Sequence, residues 1–153
     1  MKFSAVTALL LIALAAPTSS AQSNGTASAA SPRTSMSGIF SQKQASAGRT
    51  VYSMQCSACH STSTHTGPAF MKSWQGRTVW DLYAFLKDNM PQSEPGALTD
   101  QEYIQVVSYM LSLNHMPAGQ QDLPVDQALL KSIRIDTTAA PAAGAGSGAP
   151  RRQ

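Results

Sequence analysis

Apolar residues recur at intervals of three and four, the period of an α-helix, in three segments of the chain. The first segment, "GIFSQKQASAGRTVYSMQC", predicts a helix from about Gln42 to Gln55, with Ser41 and Gln44 spaced as a capping box at its start. Gly48 interrupts this helix, and a glycine there costs about 1 kcal/mol relative to alanine. We interpret Gly48 either as a tolerated residue or as a point where another helix crosses closely. The apolar positions of the segment are Ala47, Val51, Tyr52 and Met54.

The second and third segments predict two further helices with one apolar face each. The second, "TVWDLYAFLKDN", ends before Pro91, because a residue that precedes proline is pushed out of helical geometry. The third, "PGALTDQEYIQVVSYMLSLN", has Thr99 as N-cap, Glu102 at the capping-box position and Asn114 at its end. The two apolar faces comprise Val79, Trp80, Leu82, Tyr83, Phe85 and Leu86, then Tyr103, Val106, Val107, Met110 and Leu111. No segment alternates apolar and polar residues over the length of a strand, so the predicted fold class is all-α.

The two ends of the chain differ from its middle in composition. Lys2, an apolar run over residues 5–16 and small residues up to Ala21 predict a cleaved secretory signal peptide over residues 1–21. That run is shorter than the roughly 20 residues that span a membrane, so we expect export to the periplasm and no transmembrane segment after cleavage. Residues 22–36 and 137–153, rich in Ala, Ser, Thr, Gly and Pro, are predicted to be disordered. One domain, residues 37–136, remains.

Charge excludes one class of partner for this domain. Residues 37–136 contain seven lysines and arginines against eight aspartates and glutamates. A nearly neutral domain without a basic stripe is not expected to bind nucleic acid.

Both cysteines of the chain lie in "QCSACHS", with His60 directly after the second. A thioredoxin-like redox pair would follow a strand, and none is predicted before Cys56. A zinc site needs four ligands, and no second cysteine pair or histidine cluster supplies them. A disulfide across two intervening residues closes so short a loop that it restrains the unfolded chain little.

The pattern Cys-x-x-Cys-His is typical of covalent haem attachment. Cys56 and Cys59, three residues apart, are placed to form thioethers with the two vinyl groups of one porphyrin, and His60 to donate a nitrogen to its iron. The sequence therefore predicts one covalently bound haem c.

The second axial ligand of this iron decides between electron transfer and ligand chemistry. Met90 is the strongest candidate, because it lies at a helix end, next to Pro91, in a loop with few other reasons to contain a large apolar residue. Met54 lies too close to the attachment site, Met110 is typical of core, and His65 is too near His60. Local pattern leaves Met71, Met116 and His115, all expected in loops, as alternatives.

Taken together, "CSACH", "GPAF", "GRTVWDLYAFLKDNMP" and "PGALTDQEYIQVVSYMLSLNHMPAG" resemble class I c-type cytochromes. The similarity is greatest to the small monohaem domains that occur alone or attached to quinoprotein alcohol dehydrogenases. It implies a cytochrome c fold, with three main helices and loops around one haem. It also implies that Cys56 and Cys59 bind haem and that His60 and Met90 are axial ligands. The carbonyl of Pro68 would accept a hydrogen bond from the second nitrogen of His60, and Gly48 and Tyr52 would meet the last helix near Tyr109.

The function expected from these residues is electron transfer and not catalysis. We expect a periplasmic carrier that takes single electrons from a dehydrogenase and passes them to a cytochrome or oxidase. One alternative is a subunit bound permanently in a dehydrogenase complex, for which "MPAGQQDLPVDQALLKSIRI" would be a docking strip. The other is a haem sensor or enzyme with an open iron position.

Overall fold

The computed structural model describes residues 33–136 of the chain. They contain five α-helices: α1 (Gln42–Gln55), α2 (Gly67–Trp74), α3 (Val79–Asn89), α4 (Asp100–Leu113) and α5 (Gln127–Ser132). Two short 3-10 helices lie at Ser35–Ser37 and Thr62–His65, and over the described range β-structure is limited to isolated bridges. The described domain is therefore all-α, as predicted. No helix within residues 33–136 combines the length and the apolarity needed to cross a membrane.

Some of the predicted boundaries fall outside this range. The signal peptide over residues 1–21, the segment from 22 to 32 and the tail over residues 137–153 lie outside the described residues. On the N-terminal side, the domain includes residues that precede its predicted start at residue 37. Ser35 is fully buried, and its amide N–H donates to the carbonyl of Arg134 at 2.8 Å.

The three predicted helices are confirmed as α1, α3 and α4, with their expected ends. Thr99 and Glu102 form the predicted capping box, and Asn114 is the C-cap of α4. Ser41 caps α1 by accepting the N–H of Gln44, but the Gln44 side chain does not return the bond. The Gln44 side chain is buried and forms hydrogen bonds with the backbone of Leu123 and with Ser108 Oγ instead. The capping box predicted there is therefore only half formed. Met54, expected on the apolar face, is 66 % exposed.

Helices α1 and α4 cross at Gly48. A Cβ atom added to Gly48 would lie 1.8 Å from the carbonyl oxygen of Gln105 and 3.0 Å from Cβ of Tyr109. One turn further along α1, the rings of Tyr52 and Tyr109 meet edge to face with centroids 5.5 Å apart. The interpretation of Gly48 as a close crossing point is therefore confirmed: the glycine lets two helix backbones touch.

We expect Gly48→Ala to destabilise the protein by about 2 kcal/mol or more. An alanine in a helix normally gains about 1 kcal/mol over glycine. Here the methyl group meets a backbone carbonyl at 1.8 Å, so we expect an overpacking cost at or above the upper end of the usual range of roughly 1–3 kcal/mol, which exceeds that gain by about 2 kcal/mol. Thermal unfolding of the haem protein measures the change. Arg49→Ala, at the neighbouring exposed position, is the control and should stay within about 0.5 kcal/mol of wild type. A Gly48→Ala protein as stable as wild type would contradict the crossing geometry.

The chain that follows α4 contributes to the core, which the sequence analysis did not predict. Five of its apolar side chains are nearly inaccessible to solvent, none more than 3 % exposed: Met116, Leu123, Leu130, Ile133 and Ile135. Leu129 is partly buried against the core, and Val125 is 39 % exposed. Around residue 134 the chain runs extended between residues 33–35 and 76–79, with backbone hydrogen bonds to both. The interpretation of this strip as a continuous docking surface is therefore wrong, because most of its apolar side chains pack against the chain's own core.

Candidate haem-binding site

The Cys-x-x-Cys-His motif forms a tight turn at the end of α1. Cys56 is the C-cap of the helix, and its N–H still donates to the carbonyl of Tyr52 at 2.9 Å. The carbonyl of Cys56 accepts from the N–H of Cys59 at 3.1 Å and from the N–H of His60 at 2.9 Å. The turn therefore fixes the backbone of all three predicted haem-binding residues relative to one carbonyl.

The two sulfurs are free thiols in different surroundings. Cys56 is half-buried and packs against the core, whereas Cys59 is exposed. Burial raises the pKa of the Cys56 thiol, so this sulfur is protonated near neutral pH. An exposed and a half-buried thiol on the same turn fit a group that lies partly inside the protein and reaches the surface at one edge.

His60 is held through its backbone while its ring remains unbonded. The Tyr52 hydroxyl donates to the carbonyl of His60 at 3.1 Å, and burial is the main reason that the pKa of this phenol is raised, which keeps it a donor. The imidazole of His60 is half-buried, and its contact in the described part of the chain is the ring of His65, 5.1 Å away between centroids. Burial, and next the proximity of His60, lower the pKa of His65, so at neutral pH it is uncharged beside His60.

These features fit haem c better than a metal ion bound directly by side chains. Within residues 33–136, no three His, Cys, Asp or Glu side chains are grouped as a metal site would require. The free thiols and the unbonded imidazole supply instead the two sulfurs and the one nitrogen that covalent haem uses. Several apolar side chains pack on the core but stay partly uncovered, among them Met71, Leu86 and Leu98, and Cys56 belongs to the same group.

Met90 has the extended conformation predicted from the following proline. It is the C-cap of α3, with φ −130° and ψ 148°, and its N–H donates to the carbonyl of Leu86 at 2.8 Å. Its carbonyl accepts the hydroxyl of Tyr103, a residue of α4, at 2.6 Å. The backbone of Met90 is thus fixed from two helices while its side chain remains partly exposed.

The alternative axial ligands Met71, Met116 and His115 were expected in loops, and the structure gives each of them a different position or a structural role. Met71 is not in a loop but in α2, where it is half-buried. Met116 is 3 % exposed in the core, as is Met110, for which core packing was predicted. His115 is exposed and has φ 61°; its N–H donates to Ser112 and that of Met116 to Leu111, the bonds of a Schellman motif that ends α4. This motif gives His115 a structural role in terminating the helix.

Pro68 occupies the second position of α2 and is exposed. Proline suits the first turn of a helix, because the missing N–H would have had no partner there. The sequence analysis did not predict α2, which has eight residues and begins at a glycine and a proline. That Pro68 accepts a bond from His60 stays a prediction.

Sequence reasoning missed the side chain that ties this region to α4. The amide of Asn114 bonds to the carbonyl of His65 and to the N–H of Gly67, on both sides of Thr66. A buried asparagine at a helix end is readily explained as a cap, so the sequence had no signal that pointed across to residues 65–67.

Comparison with known proteins gives one family match, over a segment that contains Cys56, Cys59, His60 and Met90. Residues 43–110, from the start of α1 into α4, match the family model described as cytochrome c oxidase, cbb3-type, subunit III. The match supports a class I c-type cytochrome, with covalently bound haem c and a role in electron transfer. No curated protein and no solved structure matched the chain significantly.

Proposed function

We propose that the protein is a periplasmic carrier of single electrons between a dehydrogenase and a downstream cytochrome or oxidase. Cys56 and Cys59 anchor the haem, and His60 and Met90 are its axial ligands. Bound haem c supplies a one-electron iron couple. The residues of the chain hold the group in place, fill both axial positions and keep solvent away from one side.

The observation that carries this proposal is the pairing of two backbone-fixed ligands on separate elements. His60 follows α1 and is held by Tyr52, and Met90 ends α3 and is held by Tyr103. When both axial positions are filled by the protein, the iron has no free position for a substrate or gas, so electron transfer is favoured over chemistry at the metal. The open-iron alternative would require Met90 to be unbound.

The alternative of a permanently bound subunit loses its sequence support. Most of the apolar side chains of its proposed docking strip are covered by the protein itself, and Val125 is the large apolar side chain that stays exposed. A free carrier needs no such strip, since it meets each partner briefly. Size-exclusion chromatography of a native periplasmic extract separates the two, because a free carrier elutes at the size of the monomer and a subunit elutes with its complex.

We expect the wild-type protein to be reduced and reoxidised reversibly by one electron per haem and to bind carbon monoxide only slowly or not at all. The reason is that Met90 occupies the position carbon monoxide would take. A spectroelectrochemical titration measures the first property, and the absorption spectrum of the reduced protein under carbon monoxide measures the second. Rapid and complete carbon monoxide binding would overturn the carrier assignment in favour of the open-iron alternative.

The segment that contains the haem-attachment motif has no charged residue over a long stretch of the sequence. Residues 50–71 contain no Asp, Glu, Lys or Arg, although many of them are exposed, including Cys59 and the largely exposed Met54. Because Cys59 is exposed, the porphyrin edge bonded to it lies at this surface. We infer that electrons enter or leave across an uncharged face, which suits partners whose own docking face is uncharged.

An uncharged face gives an electron-transfer rate that depends little on salt. We expect the second-order rate constants for oxidation by an anionic and by a cationic metal complex each to change less than about threefold between low and physiological ionic strength. Electrostatic steering, by contrast, raises association rate constants by roughly 10–10³-fold, and added salt removes that increase. Stopped-flow absorbance measures both rates. Ser57→Lys, which adds one charge beside Cys59, is the matched variant and should make the two rates diverge at low salt. Strong and opposite salt dependence in the wild type would contradict an uncharged entry face.

A further inference from the structure

Asn114 uses both ends of its side-chain amide. Its Nδ2 donates to the carbonyl of Met110 at 2.7 Å and to that of His65 at 2.9 Å, and its Oδ1 accepts the N–H of Gly67 at 2.9 Å. The residue is 8 % exposed. The bond to Met110 fixes the side chain on α4, and the other two reach across to a different part of the chain.

The part that Asn114 reaches is the connection between His60 and α2. Its residues, Ser61 to Thr66, are all polar and exposed or half-exposed, so apolar burial does not fix it. The hydrogen bonds of Ser61, Ser63 and Thr64 join residues within the connection itself. Asn114 is therefore the side chain whose hydrogen bonds tie residues 65 and 67 to α4, beside the ring contact of His65 with Tyr52 of α1.

The tie extends to the proposed iron ligand through His65. The ring of His65 lies between the ring of His60, 5.1 Å away, and that of Tyr52, 5.9 Å away. By holding the backbone of His65, Asn114 fixes the side chain that borders the His60 imidazole. By holding Gly67, it also fixes the peptide that leads into Pro68.

We propose that Asn114 is a positioning residue for the axial histidine: it holds residues 65–67 so that the His60 imidazole keeps one orientation. The inference rests on the proposed haem site, in which His60 binds iron. An imidazole held in one orientation, as it would be by the predicted bond to the carbonyl of Pro68, is the stronger donor and stabilises the ferric state. Loss of the tie is expected to weaken that donation, to raise the reduction potential and to broaden the range of imidazole orientations.

Gln44 supplies a matched control in another part of the fold. It is also a buried amide with side-chain bonds to one backbone N–H, one backbone carbonyl and one further group, at 2.8, 2.8 and 3.0 Å. Its partners are Leu123 and Ser108, so its network joins α1 and α4 to the chain after α4 and not to residues 61–67. Removing either amide should lower stability, but only the loss of Asn114 should change the haem.

The experiment compares Asn114→Ala, Asn114→Leu and Gln44→Ala in the full-length haem protein. We expect lower unfolding midpoints for all three. A raised reduction potential, broadened electron paramagnetic resonance signals of the ferric haem and faster exchange of the Gly67 amide proton are expected for the two Asn114 variants alone. Asn114→Gln keeps a donor and an acceptor and is used if the smaller side chains do not accumulate; its displaced amide should shift the potential in the same direction by less.

Two results separate failure of the inference from failure of the proposed site. If the wild type shows histidine-ligated haem, and the potential and resonance signals of the Asn114 variants equal those of wild type, Asn114 is merely structural and the inference is overturned. An equal shift in Gln44→Ala also overturns it, because the effect then follows stability. If the wild-type haem is not ligated by His60, the proposed site itself fails.

Discussion

Cys56→Ala/Cys59→Ala protein is expected to contain no covalently bound haem and to accumulate poorly. The two thiols are the only sulfurs of cysteine in the chain, so no other residue can form the thioethers. A domain of about 100 residues also buries a limited core without a cofactor, and loss of the haem removes a large part of it. Haem staining after denaturing electrophoresis measures attachment, because only covalent haem survives that treatment.

The single variants and a serine substitution define the comparison. Each single cysteine variant should retain at most one thioether and much less haem than wild type, with the larger loss for the half-buried Cys56. Ser57→Ala, within the same turn, removes only a bond of its hydroxyl to the carbonyl of Ser53 and should stain like wild type. Normal staining of the double variant would refute covalent attachment through this motif.

Met90→Leu and Met90→Ala are expected to open the iron while the haem stays attached. Thioether ligation stabilises the ferrous state, so its loss should lower the reduction potential. The iron of the reduced variants should become high-spin and bind carbon monoxide readily. Leucine conserves the volume of methionine without its sulfur, so this variant separates ligation from packing. Absorption spectra of both oxidation states and a potentiometric titration measure these changes.

The other methionines supply matched controls. Met71→Leu and Met116→Leu make the same chemical change in α2 and in the core, and both should keep the wild-type potential and the iron–sulfur absorption band of the oxidised protein. Loss of that band in either of them, together with its retention in Met90→Leu, would show that the ligand had been assigned to the wrong residue.

The sequence by itself determined the features whose signals are local. Thr99 with Glu102 started α4 and Pro91 ended α3, because caps and prolines act within a few residues of the chain. The motif from Cys56 to His60 indicated its chemistry through spacing alone. Even the crossing at Gly48 could be suspected, since a glycine on the face of a helix needs a reason.

Only the tertiary structure decided what depends on contacts between distant residues. Gln44 fits a capping box by spacing, yet its side chain turns inward, because a buried amide gains more from Leu123 and Ser108 than from its own helix end. The apolar residues after α4 could equally have faced a partner or the core, and their pattern does not distinguish the two. Likewise the sequence predicts only that Asn114 ends a helix. Its bonds to residues 65 and 67, almost 50 positions away, exist because the fold packs the end of α4 against the connection between His60 and α2.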